Sequence, residues 1–185
     1  MLFRSSSSTN VRIAEPEIQT FQKLAVGSDD VTPVAGPFDA GDTVRYRVDV
    51  VARNGGDNAI AYDTRVLDNL PATESLVPGS VRVFRNGAQI FSGFSDSSAA
   101  GKVDVVIDQI APGDEIRLLY DVVLSSAVEA GGTVTNTAGL TFTSLPGGGT
   151  PSNPTGSTVP GGSGAVDGER NGADRSEEHT SELQS

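Results

Sequence analysis

The stretch from Gly131 to Gly147, GGTVTNTAGLTFTSLPG, constrains the fold more than any other part of the chain. Val134, Asn136, Ala138, Leu140 and Phe142 fall on alternate residues, and Thr133, Thr135, Thr137, Thr141 and Thr143 take most of the positions between them. A period of two is the mark of a β-strand with one apolar face and one face towards water. Asn136 interrupts the apolar row. A buried amide left without partners costs about 1 to 3 kcal/mol, so the pattern predicts a specific bonding partner for it.

The same period recurs along the chain. Pro16 marks the entry to a strand over Ile18 to Ala25, with Phe21, Lys23 and Ala25 on one face. After the turn-rich connection GSDDVTPVAGPFDAGD, the run TVRYRVDVVARN points Val44, Tyr46, Val48 and Val50 inward and Arg45, Arg47 and Asp49 outward. AYDTRVLDNLP places Thr64, Val66, Asp68 and Leu70 on one face and stops at Pro71. SVRVFRNGAQIFSG reads as a hairpin, because Asn86-Gly87 supplies the positive φ angles of a tight two-residue turn. KVDVVIDQI and EIRLLYDVVLSS follow, the second with Ile116, Leu118, Tyr120, Val122 and Leu124 inward. About seven or eight short strands, frequent turns and no helical period predict an all-β fold, an antiparallel immunoglobulin-like β-sandwich with a disordered C-terminal tail. The glycine-, proline- and serine-rich stretch after Pro146 has nothing with which to build a core.

Composition narrows the chemistry. The formal net charge of -11 over 185 residues argues against nucleic acid and anionic membranes as partners. There is no cysteine, which excludes disulfides and thiolate chemistry. The single histidine, His179, lies in a tail segment read below as foreign, so neither a Ser-His-Asp triad nor a histidine-rich zinc site is expected. Lysine is confined to Lys23 and Lys102. No apolar run is long enough to cross a bilayer, and MLFRSSSSTN lacks the hydrophobic core of a secretion signal. No cofactor is expected.

Four phrases in order, GDTVRYRVDVVARN, VLDNLP, IAPGDEIRLLYDVVL and GGTVTNTAGLTFTSLPG, resemble the conserved repeat domain of long bacterial and archaeal surface proteins catalogued as domain of unknown function 11. The resemblance covers about Glu15 to Pro146 and implies an extracellular immunoglobulin-like module, used in tandem to space or display other domains. DGERNG in the tail is similar to the region between such repeats. In EIQTFQK the chain is one residue longer between the proline and the lysine than that pattern, which predicts a bulge. The expected divisions are a linker over 1–14, the sandwich over 15–146, an inter-repeat linker over 147–174 and a foreign segment over 175–185. The last, RSEEHTSELQS, resembles the translation of a widely used short-read sequencing adapter, and the native chain is expected to continue differently after Asp174.

Lys23, Asn136 and Asp68 form the most specific chemical constellation. Surface-protein domains of the collagen-adhesin kind join a first-strand lysine to a last-strand asparagine through a self-formed amide, catalysed by a buried carboxylic acid. Here Lys23 falls in the first strand and Asn136 in the last, and Asp68 shares the inward face of Val66. Burial favours the neutral, nucleophilic amine and the protonated acid. Asp63, Asp121 and Glu115 fit less well, because alternation turns them outward. The alternative is three unrelated residues: Lys23 solvated at an edge, Asn136 bonded to backbone, and Asp68 capping the loop before Pro71.

Other features read as structure. Asp29, Asp30, Asp167 and Glu169 are weak calcium candidates without the spacing of a calcium loop, and solvated turns describe them better. Arg45, Arg47 and Arg53 suit a cross-strand ion-pair ladder with partners such as Asp49. The leading function is a structural stalk or spacer module of a cell-surface or secreted protein, with neighbouring repeats of the same polypeptide as partners and no catalytic residue for an external substrate. The alternative is an adhesin-type module that holds a glycan or protein through loops such as Gly27 to Asp42, where Phe38 stands out. An enzyme using paired carboxylates lacks a pair with the needed opposed geometry.

Overall fold

The protein is described by a computed structural model. Residues 9–10, 14–56, 58–144 and 146 are described, together with the backbone of 179–182. Among them there is no helix. The strands are β1 (Ile18–Val26), β2 (Thr43–Ala52), β3 (Ala61–Asn69), β4 (Glu74–Leu76), β5 (Arg82–Arg85), β6 (Ala88–Ile90), β7 (Phe94–Asp96), β8 (Lys102–Ile110), β9 (Glu115–Leu124), β10 (Thr137–Thr143) and β11 (His179–Glu182).

Two antiparallel sheets make a sandwich. One runs β1-β2-β9-β5-β6, with β4 pairing the same strand β9; the other runs β11-β10-β3-β8-β7. The strand count exceeds the expected seven or eight because β4, β7 and β11 are only three or four residues long. So short a segment shows too little alternation to stand out from a turn. The expected disordered tail lies outside the described residues, except that β11 pairs through its backbone with Thr137 to Leu140 of β10.

The predicted alternation becomes the core. Val44, Tyr46, Val48 and Val50 of β2 and Ile116, Leu118, Tyr120, Val122 and Leu124 of β9 are buried, packed with Val66 of β3 and Leu140 and Phe142 of β10. In β1 the pairing slips between Ile18 and Thr20: Ile18 lies opposite Ala52 and Thr20 opposite Val51. This is the irregularity that the extra residue in EIQTFQK predicts, and it restores Lys23 to the inward face. Asn86 and Gly87 take φ 51° and 81° between β5 and β6, the mirror-image turn whose twist suits a hairpin.

Three expectations change in detail. Asn136 lies immediately before β10 rather than inside a strand, although its side chain stays on the buried face. Leu70 falls just past β3 and is only half-buried. Asp49, expected outward, is 5% exposed, because Arg47, Arg117 and Gln22 close over it.

Candidate functional site

β1 of one sheet approaches β10 of the other, and four of the buried polar side chains, Lys23, Asp68, Glu74 and Asn136, belong to one group. Strand register places all of them but Asn136, which directly precedes β10. Lys23 sits opposite Val48 on the edge strand β1. Tyr46 and Tyr120 face each other across β2 and β9, with ring centroids 5.6 Å apart. Asp68 lies on β3 opposite Ala138, so Asn136 is two residues away along the β10 chain. Glu74 opens β4, opposite Leu124 of β9.

Lys23 is 3% exposed and Asp68 is fully buried. The Lys23 Nζ donates to Asp68 Oδ2 at 2.6 Å, and the Tyr120 hydroxyl donates to the same oxygen. The ammonium also lies 4.4 Å from the Tyr46 ring centroid, within cation–π range. The Tyr46 hydroxyl in turn donates to Glu74 Oε1 at 2.6 Å, and Asn136 Nδ2 donates to Glu74 Oε2 at 2.6 Å. Asp68 Oδ1 and Asn136 Oδ1 are buried without a hydrogen-bond partner among the described residues. The five side chains of Lys23, Asp68, Tyr46, Glu74 and Asn136, with Tyr120, therefore form one continuous polar cluster in an otherwise apolar core.

Burial dominates the electrostatics. It pushes the Lys23 amine below its usual range, against the opposing pull of Asp68 and, more weakly, of Glu74. It pushes the Glu74 carboxyl up, against hydrogen bonds from Tyr46 and Asn136 and the Lys23 charge. Both tyrosine hydroxyls are also pushed up, chiefly by burial. A low dielectric thus favours the neutral amine and the protonated Glu74 carboxyl together.

The three residues singled out in the sequence are all in the cluster, with one reassignment. Asp68, expected as the single acid of the group, holds Lys23, and the carboxyl on the Asn136 amide is Glu74. Glu74 escaped notice because β4 is three residues long, although Glu74 and Leu76 do alternate inward around exposed Ser75. Tyr46 and Tyr120 were visible as inward residues but not as members of a site.

The remaining candidates serve the surface. Asp29 accepts from the Thr32 hydroxyl and from the backbone of Val31 and Thr32; the hydroxyl first, then the amides, hold its carboxyl at about 2. Asp30 pairs with Arg45 at 2.7 Å and Arg82 at 3.5 Å. Asp167 and Glu169 lie outside the described residues, and among those described no three metal-ligating side chains gather. Arg45 is bidentate on Asp121 directly across β9, Arg117 reaches Asp49 across the same pair, and Glu115 pairs with Arg117. Arg53 pairs with Glu17. Phe38 is 37% exposed and lines a shallow groove with Val26, Val34 and Pro37, while Phe91, not singled out in the sequence, is 84% exposed. No helix among the described residues is long and apolar enough to cross a membrane.

No protein-family model matches the chain, and no curated protein matches it. Solved structures do. The major pilin subunit of Bacillus cereus, in its D312A form, aligns with a TM-score of 0.58 at 15% identity over 90% of this chain and 38% of that one. The major pilin SpaA of Corynebacterium diphtheriae, described as a modular pilus assembly with stabilizing isopeptide bonds, aligns with a TM-score of 0.53 at 22% identity over 81% of this chain and 36% of that one. The pilus backbone protein of Streptococcus pneumoniae aligns with a TM-score of 0.51 at 19% identity over 74% and 34%. This chain thus spans under two fifths of the length of the pilins it resembles. At these identities the likeness is one of fold: the chain folds as the immunoglobulin-like β-sandwich domains of pilins do.

Proposed function

We propose that this chain is a structural module, a stalk or spacer repeat of a larger cell-surface or secreted prokaryotic protein, whose two sheets are joined by an amide between Lys23 of β1 and Asn136 at the entry to β10. The observation that carries the reading is the burial of Lys23 and Asn136, 3% and 1% exposed, in one cluster with two carboxyls. Lys23, Asp68, Glu74 and Asn136 are all buried within an otherwise apolar core. Isolated, they would be costly to bury. Condensation of the amine with the amide removes the charge and two of the polar ends at once.

The pilin fold and the SpaA isopeptide bonds support the reading, as does the resemblance to the surface-protein repeat called domain of unknown function 11. On this reading residues 15–146 are the module, the neighbouring repeats of the polypeptide are its partners, and the setting is extracellular. A covalent tie between β1 of one sheet and the residue that leads into β10 of the other suits a chain without cysteine that must bear tension. Single-molecule pulling on the two ends of the protein tests the role. The segment between Lys23 and Asn136 should add no extension when the domain yields. Release of the full length of the domain would contradict the proposal.

A further inference from the structure

Building on that cross-link, we infer that its chemistry is divided between two carboxyls: Glu74 activates the Asn136 carbonyl, and Asp68 receives and relays the proton of Lys23. The separation is geometric. Asp68 Oδ2 already takes two donors, Lys23 Nζ and the Tyr120 hydroxyl. The carboxyl hydrogen bond to the Asn136 side chain belongs to Glu74 alone, at 2.6 Å from Oε2, while Tyr46 pins Oε1.

Asn136 Oδ1 is buried with no hydrogen-bond partner among the described residues. An ionised Glu74 accepts from Nδ2 and leaves Oδ1 bare. A protonated Glu74 can donate, and an amide turned by half a revolution about its Cβ–Cγ bond then places Oδ1 on Oε2 and satisfies the bare oxygen. That donation draws electrons from Cγ, as an oxyanion-stabilising donor does. Burial of the Glu74 side chain favours this protonated form.

The Lys23 ammonium gives one proton to Asp68 Oδ2, freeing the lone pair of Nζ. Nζ bonds to Asn136 Cγ, and the carbonyl electron pair moves onto Oδ1, held by the Glu74 O–H. A second Nζ proton passes to Nδ2. The carbonyl re-forms, the Cγ–Nδ2 bond breaks, and ammonia departs with the proton that Asp68 held. The ammonium and the primary amide become a secondary amide and an ammonium ion, with both carboxyls restored. Tyr46 and Tyr120 are positioning residues, each fixing one carboxyl.

The test is the intact mass of the full chain, followed over time after purification, for the wild type and for Glu74→Gln, Asp68→Asn and Tyr46→Phe. The expected results are loss of one ammonia in the wild type and a rate about a hundredfold or more lower in Glu74→Gln, which keeps the hydrogen bonds but loses the acid proton. Asp68→Asn should be similarly slow, and Tyr46→Phe slower than wild type but still able to reach completion. A folded Glu74→Gln that loses ammonia at the wild-type rate overturns the division of roles while leaving the cross-link standing. A wild type of unaltered mass instead overturns the cross-link itself. Loss of water, mapping to Lys23 and either acid, overturns both. If Glu74→Gln does not fold, Glu74→Asp decides: wild-type kinetics with the carboxyl withdrawn by one methylene would contradict the proposal, and slowed ammonia loss would support it.

Discussion

Asn136 gives its side-chain amide to Glu74 at 2.6 Å, a contact that spans 62 residues of sequence and ties the start of the last core strand to a three-residue strand of the opposite sheet. Beside it, Lys23 reaches Asp68 across 45 residues. Tyr46 touches both pairs, its hydroxyl on Glu74 and its ring beside the Lys23 amine, so four separate parts of the chain must be in register before any chemistry can start. The cross-link would be a late event, formed only in the folded domain.

Asn136→Ala should lower stability substantially. An amide from Lys23 to Asn136 closes a loop of about a hundred residues, and by analogy with a disulfide of that span it restricts the unfolded state by about 4 to 5 kcal/mol. Chemical denaturation of the variant beside the wild type checks this. A loss under about 1 kcal/mol would mean that no covalent loop exists.

Asp104 provides a pH test away from the cluster. Arg65 holds it bidentately at 2.7 and 2.8 Å, and Lys102 adds a bond at 2.9 Å. Arg65 first, then Lys102, depress its carboxyl well below the usual range. A carboxyl depressed in the folded state adds stability that is fully present above its unfolded pKa, about 3.9, and is lost as the pH falls through the folded value. Asp104→Asn should therefore cost about 1 to 2 kcal/mol at neutral pH, since Arg65 is 45% exposed and screened by solvent. The penalty should shrink below about pH 4. A penalty that is the same at pH 3 and pH 7 would contradict this account.

Much of the fold could be read directly because β2 and β9 alternate over ten residues each, long enough for the period to show. Lys23, Asp68 and Asn136 betrayed themselves as polar residues on otherwise apolar faces. Glu74 did not, since a strand of three residues has no period to violate, and only the folded sheet brings it under Asn136. Asp49 was misplaced for the converse reason. Alternation assigns a face but not its cover, and the arginines of neighbouring positions bury what the pattern leaves outside.

The hairpin offers a backbone test. Gly87 has φ 81° with nothing within 4 Å of where a Cβ would stand, so a side chain there meets no clash, only an unfavourable conformation. Gly87→Ala should cost about 1 kcal/mol, read as a lowered melting midpoint. A neutral or stabilising effect would show that the turn relaxes.

A chain ending at Pro146 should melt cooperatively with an unchanged midpoint, since every core residue among those described lies within residues 15–146. A clear drop would show that β11, paired along Thr137 to Leu140, supports the domain.

The most direct measurement is the high-resolution mass of the intact protein, followed by fragment mapping. The account predicts a mass lower than the sequence requires by one ammonia, with the peptides that carry Lys23 and Asn136 recovered as a single branched species, and full mass restored by Lys23→Ala or Asn136→Ala. A wild-type protein of unmodified mass, with the two peptides recovered separately, would contradict it.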